Sequence, residues 1–380
     1  MSRIDNLIRN LCPNGMEHKP LGELLNYEQP GPYLVTSKEY DFDYPTPVLT
    51  AGATFILGHT NERHGIYPAS QDSPVIIFDD FTTSSKWVDF PFKAKSSAMK
   101  ILTSSTDDPT DLRYIYYVLD ALNYTPSTHS RHWISMFSNI PIAFPPRTVR
   151  EYIVSTLNYF KALEAELEAE LEARQHQYNY YLNHFFTSNT NTHMRTLRDV
   201  GPVRMCKRIM KNQTSQQGDV PFYKIRTFGG TADAYISRKL YNEYKEQYHF
   251  PQPGSILISA AGTIGRSVRY DGKDAYFQDS NIVWIENNEA LVLNSYLFYF
   301  YKVANWKTDD GTIRRLYNDR LLNTTIPVPP LSEQHQIVNC LDKFDTLVNS
   351  PTSGLPAEIE ARRKQYEYYR DRLLTFPEKK

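Results

Sequence analysis

Lys86, Lys93, Lys95 and Lys100 stand close together among small hydroxyl residues (Thr82, Thr83, Ser84, Ser85, Ser96, Ser97) and one aromatic, Trp87. That mixture suits a polyanion, since amines neutralise phosphates while hydroxyls and backbone N–H groups approach them closely. The stretch Ser127 to Trp133 adds His129, Ser130, Arg131 and His132. A second set follows later in the chain. Ser259-Ala260-Ala261-Gly262-Thr263-Ile264-Gly265-Arg266 is a Gly/Ser/Thr loop behind a strand-like run. Thr308 to Arg315 ends in Arg314-Arg315, where the first half has its Ser/His/Arg loop. Arginine can read a base edge bidentately. Any one such loop also fits an ordinary solvated turn; their occurrence as a matched pair favours DNA contact. The candidate contacts are Lys86, Lys93, Lys95, Lys100, Arg131, Gly262, Thr263, Gly265, Arg266, Arg314 and Arg315.

Catalytic patterns are missing by contrast. The sequence has no Gly-x-x-x-x-Gly-Lys-Ser/Thr run and no Gly-rich loop after a strand of the nucleotide-binding kind. Pro145-Pro146 and Pro329-Pro330 lack the preceding Asn/Asp and following aromatic with which an amino-methyltransferase holds an exocyclic amine. His59/His64 and His129/His132 have no third ligand in sight, and Asp79-Asp80 reads as a turn after a strand. Cys12, Cys206 and Cys340 are scattered, against a disulfide framework or a zinc site. The expectation is a protein without catalytic residues, cofactor or metal of its own.

The chain that must position these loops is written twice. Pro145-Pro146 and, 184 residues on, Pro329-Pro330 each precede a stretch of helical periodicity. Ile153, Val154, Leu157, Phe160 and Leu163 recur as Ile337, Val338, Leu341, Phe344 and Leu347. Glu172-Ala173-Arg174, Gln177-Tyr178 and Tyr180-Tyr181 recur as Glu360-Ala361-Arg362, Gln365-Tyr366 and Tyr368-Tyr369, now at an offset of 188. The second copy therefore holds four extra residues, with Pro351-Thr352-Ser353-Gly354 the natural break. Apolar residues at three- and four-residue spacing need a partner helix, and the other copy is the nearest one. Ile153, Leu157, Phe160, Ile337, Leu341, Phe344, Tyr366 and Tyr369 are the expected seam.

Strand-like runs at 47–50, 75–78 and 98–102, then a helix over 111–122, precede the first helical stretch; runs at 255–259 and 281–285, then a helix over 295–301, precede the second. The expected fold is α+β: two similar globular domains separated by two long helices packed as an antiparallel coiled-coil pair, in a pseudo-twofold repeat. The boundaries are 1–146 for the N-terminal helix and first domain, 147–186 for the central helix, 187–330 for the second domain and 331–380 for the C-terminal helix. Ile4, Leu7, Ile8 and Leu11 make the start an amphipathic helix that packs on the protein, not a secretion signal. No apolar run reaches the roughly 18 residues of a membrane span, so a cytoplasmic protein is expected. Net charge is −1. Residues 1–146 carry 11 Lys/Arg against 16 Asp/Glu, and residues 187–330 carry 19 against 13. Bulk charge thus favours a polyanion in the second half, whereas the first would need a local basic patch.

The layout resembles the specificity (S, or HsdS) subunit of type I restriction–modification systems. The resemblance covers essentially the whole chain. It rests on Leu11-Cys12-Pro13-Asn14-Gly15 with Pro20-Leu21-Gly22-Glu23, and on Pro329-Pro330-Leu331-Ser332-Glu333-Gln334-His335-Gln336-Ile337-Val338 with Leu341-Asp342-Lys343-Phe344. Arg362-Arg363-Lys364-Gln365-Tyr366-Glu367-Tyr368-Tyr369-Arg370 with Leu373-Leu374 completes it, and Gly262-Thr263-Ile264-Gly265 looks like a recurrent loop of such target-recognition domains. In the first copy Pro146-Arg147-Thr148-Val149-Arg150-Glu151-Tyr152 replaces the Leu-Ser-Glu-Gln-His-Gln pattern. The tandem Ala165-Glu166-Leu167-Glu168 and Ala169-Glu170-Leu171-Glu172 resemble tetrapeptide repeats that set the distance between half-sites.

The resemblance implies that each domain recognises one half of a split double-stranded DNA target. It also implies that the helices dock two modification (methyltransferase) subunits and that restriction (translocase/endonuclease) subunits can join. S-adenosylmethionine, ATP and Mg would then sit on those partners. The competing expectation is a coiled-coil scaffold whose paired domains bind proteins, with little DNA affinity and weak salt dependence.

Overall fold

The computed structural model describes residues 3–376 apart from 14, 51, 53, 107, 123, 125, 127–130, 188–192 and 310–313. Two compact units form: residues 1–167 with 359–380, and residues 168–358. Among the described residues no helix is long and apolar enough to cross a membrane.

The first unit runs α1 (Arg3–Leu11), β1 (His18–Pro20), α2 (Leu21–Leu24), β2 (Leu25–Glu28), β3 (Thr46–Leu49), β4 (Ile56–Thr60), β5 (Val75–Asp79), β6 (Ser85–Val88), β7 (Lys93–Ala94), β8 (Met99–Ser104), α3 (Pro109–Ala121) and β9 (Pro141–Ala143) into α4 (Arg147–Thr187). The second runs β10 (His193–Thr196), α5 (Leu197–Val200), β11 (Val203–Arg204), β12 (Val220–Tyr223), β13 (Tyr235–Ile236), α6 (Arg238–Gln247), β14 (Ile256–Ser259), β15 (Ser267–Arg269), β16 (Tyr276–Phe277), β17 (Ile282–Ile285), α7 (Asn294–Val303), α8 (Asn318–Leu322) and β18 (Thr325–Val328) into α9 (Leu331–Asn349) and α10 (Leu355–Leu374).

The topology repeats strand for strand. Order β2-β8-β5-β6 in one four-stranded sheet becomes β11-β17-β14-β15 in the other, and β4-β3-β7 becomes β13-β12-β16. Both three-stranded sheets hold one parallel pair, β3 with β7 and β12 with β16. The pair β1-β9 becomes β10-β18. The central strands are apolar on both faces because a sheet two layers deep in side chains has no wet face. In β5, Ile76 and Phe78 point into a core shared with α3 and α4, while Val75 and Ile77 point into the core that includes Leu49 and Phe92. In β14, Ile256 and Ile258 face the helices and Leu257 faces the other core. The two-residue period thus splits each strand between two cores.

The helices begin where Pro145-Pro146 and Pro329-Pro330 deliver the chain in an extended conformation that proline imposes. Leu7 and Ile8 of α1 pack on the first core, as its amphipathic spacing requires. Within the first unit, the start of α4 and the end of α10 run antiparallel: Phe160 stacks on Tyr369 at 5.1 Å, Lys161 lies over Tyr366, and Arg363 bonds Glu164 at 2.6 Å. Within the second, Tyr178 and Tyr181 of α4 pack on Phe344 of α9. The four extra residues of the second copy do break its helix, between Asn349 and Leu355. Gly354 takes φ +80° there, and a Cβ on it would fall 2.5 Å from the Thr346 carbonyl.

Polar contacts recur in matching pairs, first within each domain and then from the domain to its helix. Tyr114 Oη donates to the Ala143 carbonyl at 2.8 Å, as Tyr296 Oη does to Pro327 at 3.0 Å. Tyr117 donates to Asn158 and Tyr299 to Asp342, 184 residues on. The departure from the Gln-containing pattern in the first copy has a structural counterpart. Gln334 is fully buried, its Nε2 donating to the Pro329 carbonyl at 2.8 Å and its Oε1 accepting from Leu293 N at 2.9 Å. Arg150 stands 184 residues earlier, donates to the Pro145 carbonyl and ion-pairs with Asp111. One anchor uses an amide, the other a guanidinium with its own carboxylate.

Candidate nucleic-acid interface

In the second unit the Gly/Ser/Thr loop is the tip of the β14–β15 hairpin. Buried Ser259 ties it: its N–H donates to the Arg266 carbonyl at 2.9 Å and its carbonyl accepts from Gly265 N at 3.0 Å. Its Oγ accepts from Arg266 N at 2.9 Å and donates to the Thr263 carbonyl. Gly262 and Gly265 adopt φ +68° and +83°, and a Cβ at 265 would lie 2.3 Å from Trp306 Nε1. Only glycine permits that turn against that ring. The returning segment pairs with the tip: Ala261 bridges Arg315, and Leu316 N donates to the Ala260 carbonyl at 2.9 Å. Gly262, Thr263, Arg266, Arg314 and Arg315 are therefore gathered on one edge, all exposed, beside half-buried Gly265. Arg266 also donates to the Phe228 carbonyl at 2.9 Å, which fixes the direction of its guanidinium. The loop residues 310–313 lie outside the described residues.

The first unit repeats this arrangement with other side chains. Its tip joins β5 to β6, held by Asp79 Oδ1, which accepts from Phe81 N at 2.8 Å and Thr82 N at 3.1 Å. Thr83 takes φ +60° and donates to the Tyr124 carbonyl at 3.2 Å. His132 N donates to the Asp80 carbonyl at 2.9 Å, 184 residues before the Leu316 bond. Exposed Arg131 and half-buried Lys86 flank this tip, whereas His129 and Ser130 lie outside the described residues.

Three other cations of the first unit stand differently. Lys100 is buried against Asp80 at 3.1 Å, and the same carboxylate accepts from Trp133 N at 2.8 Å. Lys93 is buried too, 2.7 Å from Glu62 and 2.7 Å from the His64 carbonyl. Its amine, with further hydrogen bonds from Ser37 and Thr36, draws the Glu62 carboxyl down to about 2 against the opposing pull of burial. The expectation that Lys93 and Lys100 face DNA is thus corrected, since both amines are spent on internal carboxylates. The five cations do not form one patch. Lys95 is exposed beside β7, donating to Tyr40 Oη at 2.7 Å.

Of the seam residues, Ile153, Leu157, Ile337, Leu341 and Tyr366 are buried, and Phe160, Phe344 and Tyr369 are partly so. These residues, expected as both spacer seam and partner-binding positions, turn their apolar faces into the two cores of this chain. Among the described residues no three His, Cys, Asp or Glu side chains gather where they could hold a metal ion.

One α+β scaffold is thus used twice, presenting the same edge with different side chains and continuing into long helices. A model of the type I restriction modification DNA specificity domain matches residues 189–361. The chain is 40% identical to the specificity subunit of the EcoR124I/EcoR124II type I restriction enzyme of Escherichia coli, covering 99% of this chain and 98% of that one. It is 52% identical over 277 residues to a putative type I restriction enzyme specificity subunit of Haemophilus influenzae, covering 70% of this chain and 72% of the relative. The S subunit of a type I restriction–modification system from M. genitalium shares its fold, with a TM-score of 0.57 at 14% identity over 94% of this chain and 96% of the other. The chain belongs to the specificity subunits of type I restriction enzymes, and a role in DNA recognition follows from that membership.

Proposed function

We propose that the two hairpin-tip edges are the DNA-reading surfaces, each taking one half of a split target. Residues 1–146 and 187–330 would be the two target-recognition domains, and 147–186 with 331–380 the spacer. The observation that carries this reading is the recurrence of one edge: a tip locked by its own backbone bonds, backed by a returning segment, with Arg131 and Lys86 in one unit and Arg266, Arg314 and Arg315 in the other. Cations there neutralise phosphates and position the domain, while the differing side chains read bases. The chain itself carries out no catalysis in this reading. The helices dock two modification (methyltransferase) subunits, which bind S-adenosylmethionine, and restriction subunits that use ATP and Mg join the same cytoplasmic assembly. The test is a DNA titration of the chain with its modification subunits at several salt concentrations. Replacing both Arg314 and Arg315 by alanine should weaken binding and lower the log–log salt slope by about 2. An unchanged slope would remove these arginines from the interface.

A further inference from the structure

The last turn of the domain helix meets a spacer tyrosine in both units, but with charges reversed. In the first, Asp120 of α3 accepts from Tyr366 Oη at 3.2 Å and from Arg370 at 3.0 Å, and Lys161 lies 4.3 Å from the same ring. In the second, Lys302 of α7 donates to Tyr178 Oη at 3.0 Å and to Asp345 at 2.9 Å, and Tyr178 donates to Asp345 at 3.1 Å. Tyr117 and Tyr299 are matched by their contacts, so Asp120 and Lys302 stand at one position of the repeat. Lys161 and Asp345 likewise occupy one position, 184 apart, and Tyr178 and Tyr366 another, 188 apart.

The ring is retained while the charge changes sign on the domain and on the helix together. A slot holding Arg370 and Lys161, which also pair with Asp371 and Glu164 of their own helices, receives a carboxylate; a slot holding Asp345 and Asp342 receives an amine. Single surface ion pairs carry little stability, but these are partly enclosed. In the second unit Lys302 keeps 28% of its side-chain surface and Asp345 32%; in the first, Arg370 keeps 12%, whereas Asp120 keeps 42% and Lys161 43%. Discrimination needs only that the wrong pairing be repulsive.

We propose that this inverted pair is a key that admits each domain to its own helical slot and rejects it from the other. Placed in the wrong slot, Asp120 would face Asp345 and Asp342, and Lys302 would face Lys161 and Arg370.

The test uses melting of the full-length chain without DNA, so its outcome is independent of the DNA-reading proposal. The variants are Lys302→Asp, Asp345→Lys and the two combined, which recreates the charge order of the first unit. Each single change should lower the melting temperature by about 3–8 °C, and the combination should regain at least half of the summed loss. If the single variants fail to fold, a cooperative melt of the double variant supports the key and its absence overturns it. Single variants within about 1 °C of the parent, or a double variant that only adds the two losses, also overturn it.

Discussion

Gln334 offers the sharpest test of how each domain is fastened to its helix. Replacing it by alanine removes the acceptor of Leu293 N and the donor to the Pro329 and Leu291 carbonyls, which lie 2.9, 2.8 and 3.0 Å from it. The side chain is fully buried. Each buried group left unpaired costs about 1–3 kcal/mol. With the Leu293 amide and one carbonyl stranded, the loss is about 2–6 kcal/mol, or about 4–24 °C for a unit of this size. Gln334→Arg should be no better, because position 293 is leucine where Asp111 answers Arg150 in the first unit. Adding Leu293→Asp to Gln334→Arg should recover part of the loss by rebuilding that pair. Scanning calorimetry of the full chain measures all three. A Gln334→Ala melt within about 2 °C of the parent, or a Gln334→Arg chain as stable as the parent, would refute the anchor.

The buried Lys100–Asp80 pair and the Glu62–Lys93 pair make further predictions. Lys100→Met strands a carboxylate whose side chain is 2% exposed and should cost about 3–5 kcal/mol in a denaturant titration. The same variant, where folded, should leave the salt slope of DNA binding unchanged. Glu62 has a carboxyl drawn down from 4.5 to about 2, chiefly by the hydrogen bond from Lys93, so its contribution is complete above pH 4.5. That contribution is lost as pH falls through about 2. Glu62→Gln should therefore flatten the acid limb of stability against pH in that window, and an unaltered limb would count against the pairing.

The repeat was legible because both copies bury the same seam, and buried apolar residues keep their spacing when surfaces diverge. Ile153 and Ile337 show it, as do Phe160 and Phe344. The tips were legible for a different reason. Gly262, Gly265 and Ser259 are residue types that a locked turn demands. Lys93 and Lys100 read as surface cations in the sequence because their partners, Glu62 and Asp80, are distant along the chain, and β8 has no wet face to show which way Lys100 points. Helix α6 carries a weak periodic signal, since Tyr241 is its only fully buried residue and Leu240 and Tyr244 are half-buried among polar neighbours. The replacement of Gln334 by Arg150 was visible as a mismatch. Its compensation by Asp111 was not, because that carboxylate belongs to another helix.

The central claim is that each unit reads its own half of the target through its hairpin tip. Selection of bound DNA from a random pool, with the modification subunits present, tests it most directly when the chain carries Arg266→Ala with Arg314→Ala and Arg315→Ala. The account predicts that base preference relaxes in one half-site while the other half and the spacing between them stay as in the parent. Relaxation of both halves together, or of neither, would contradict it.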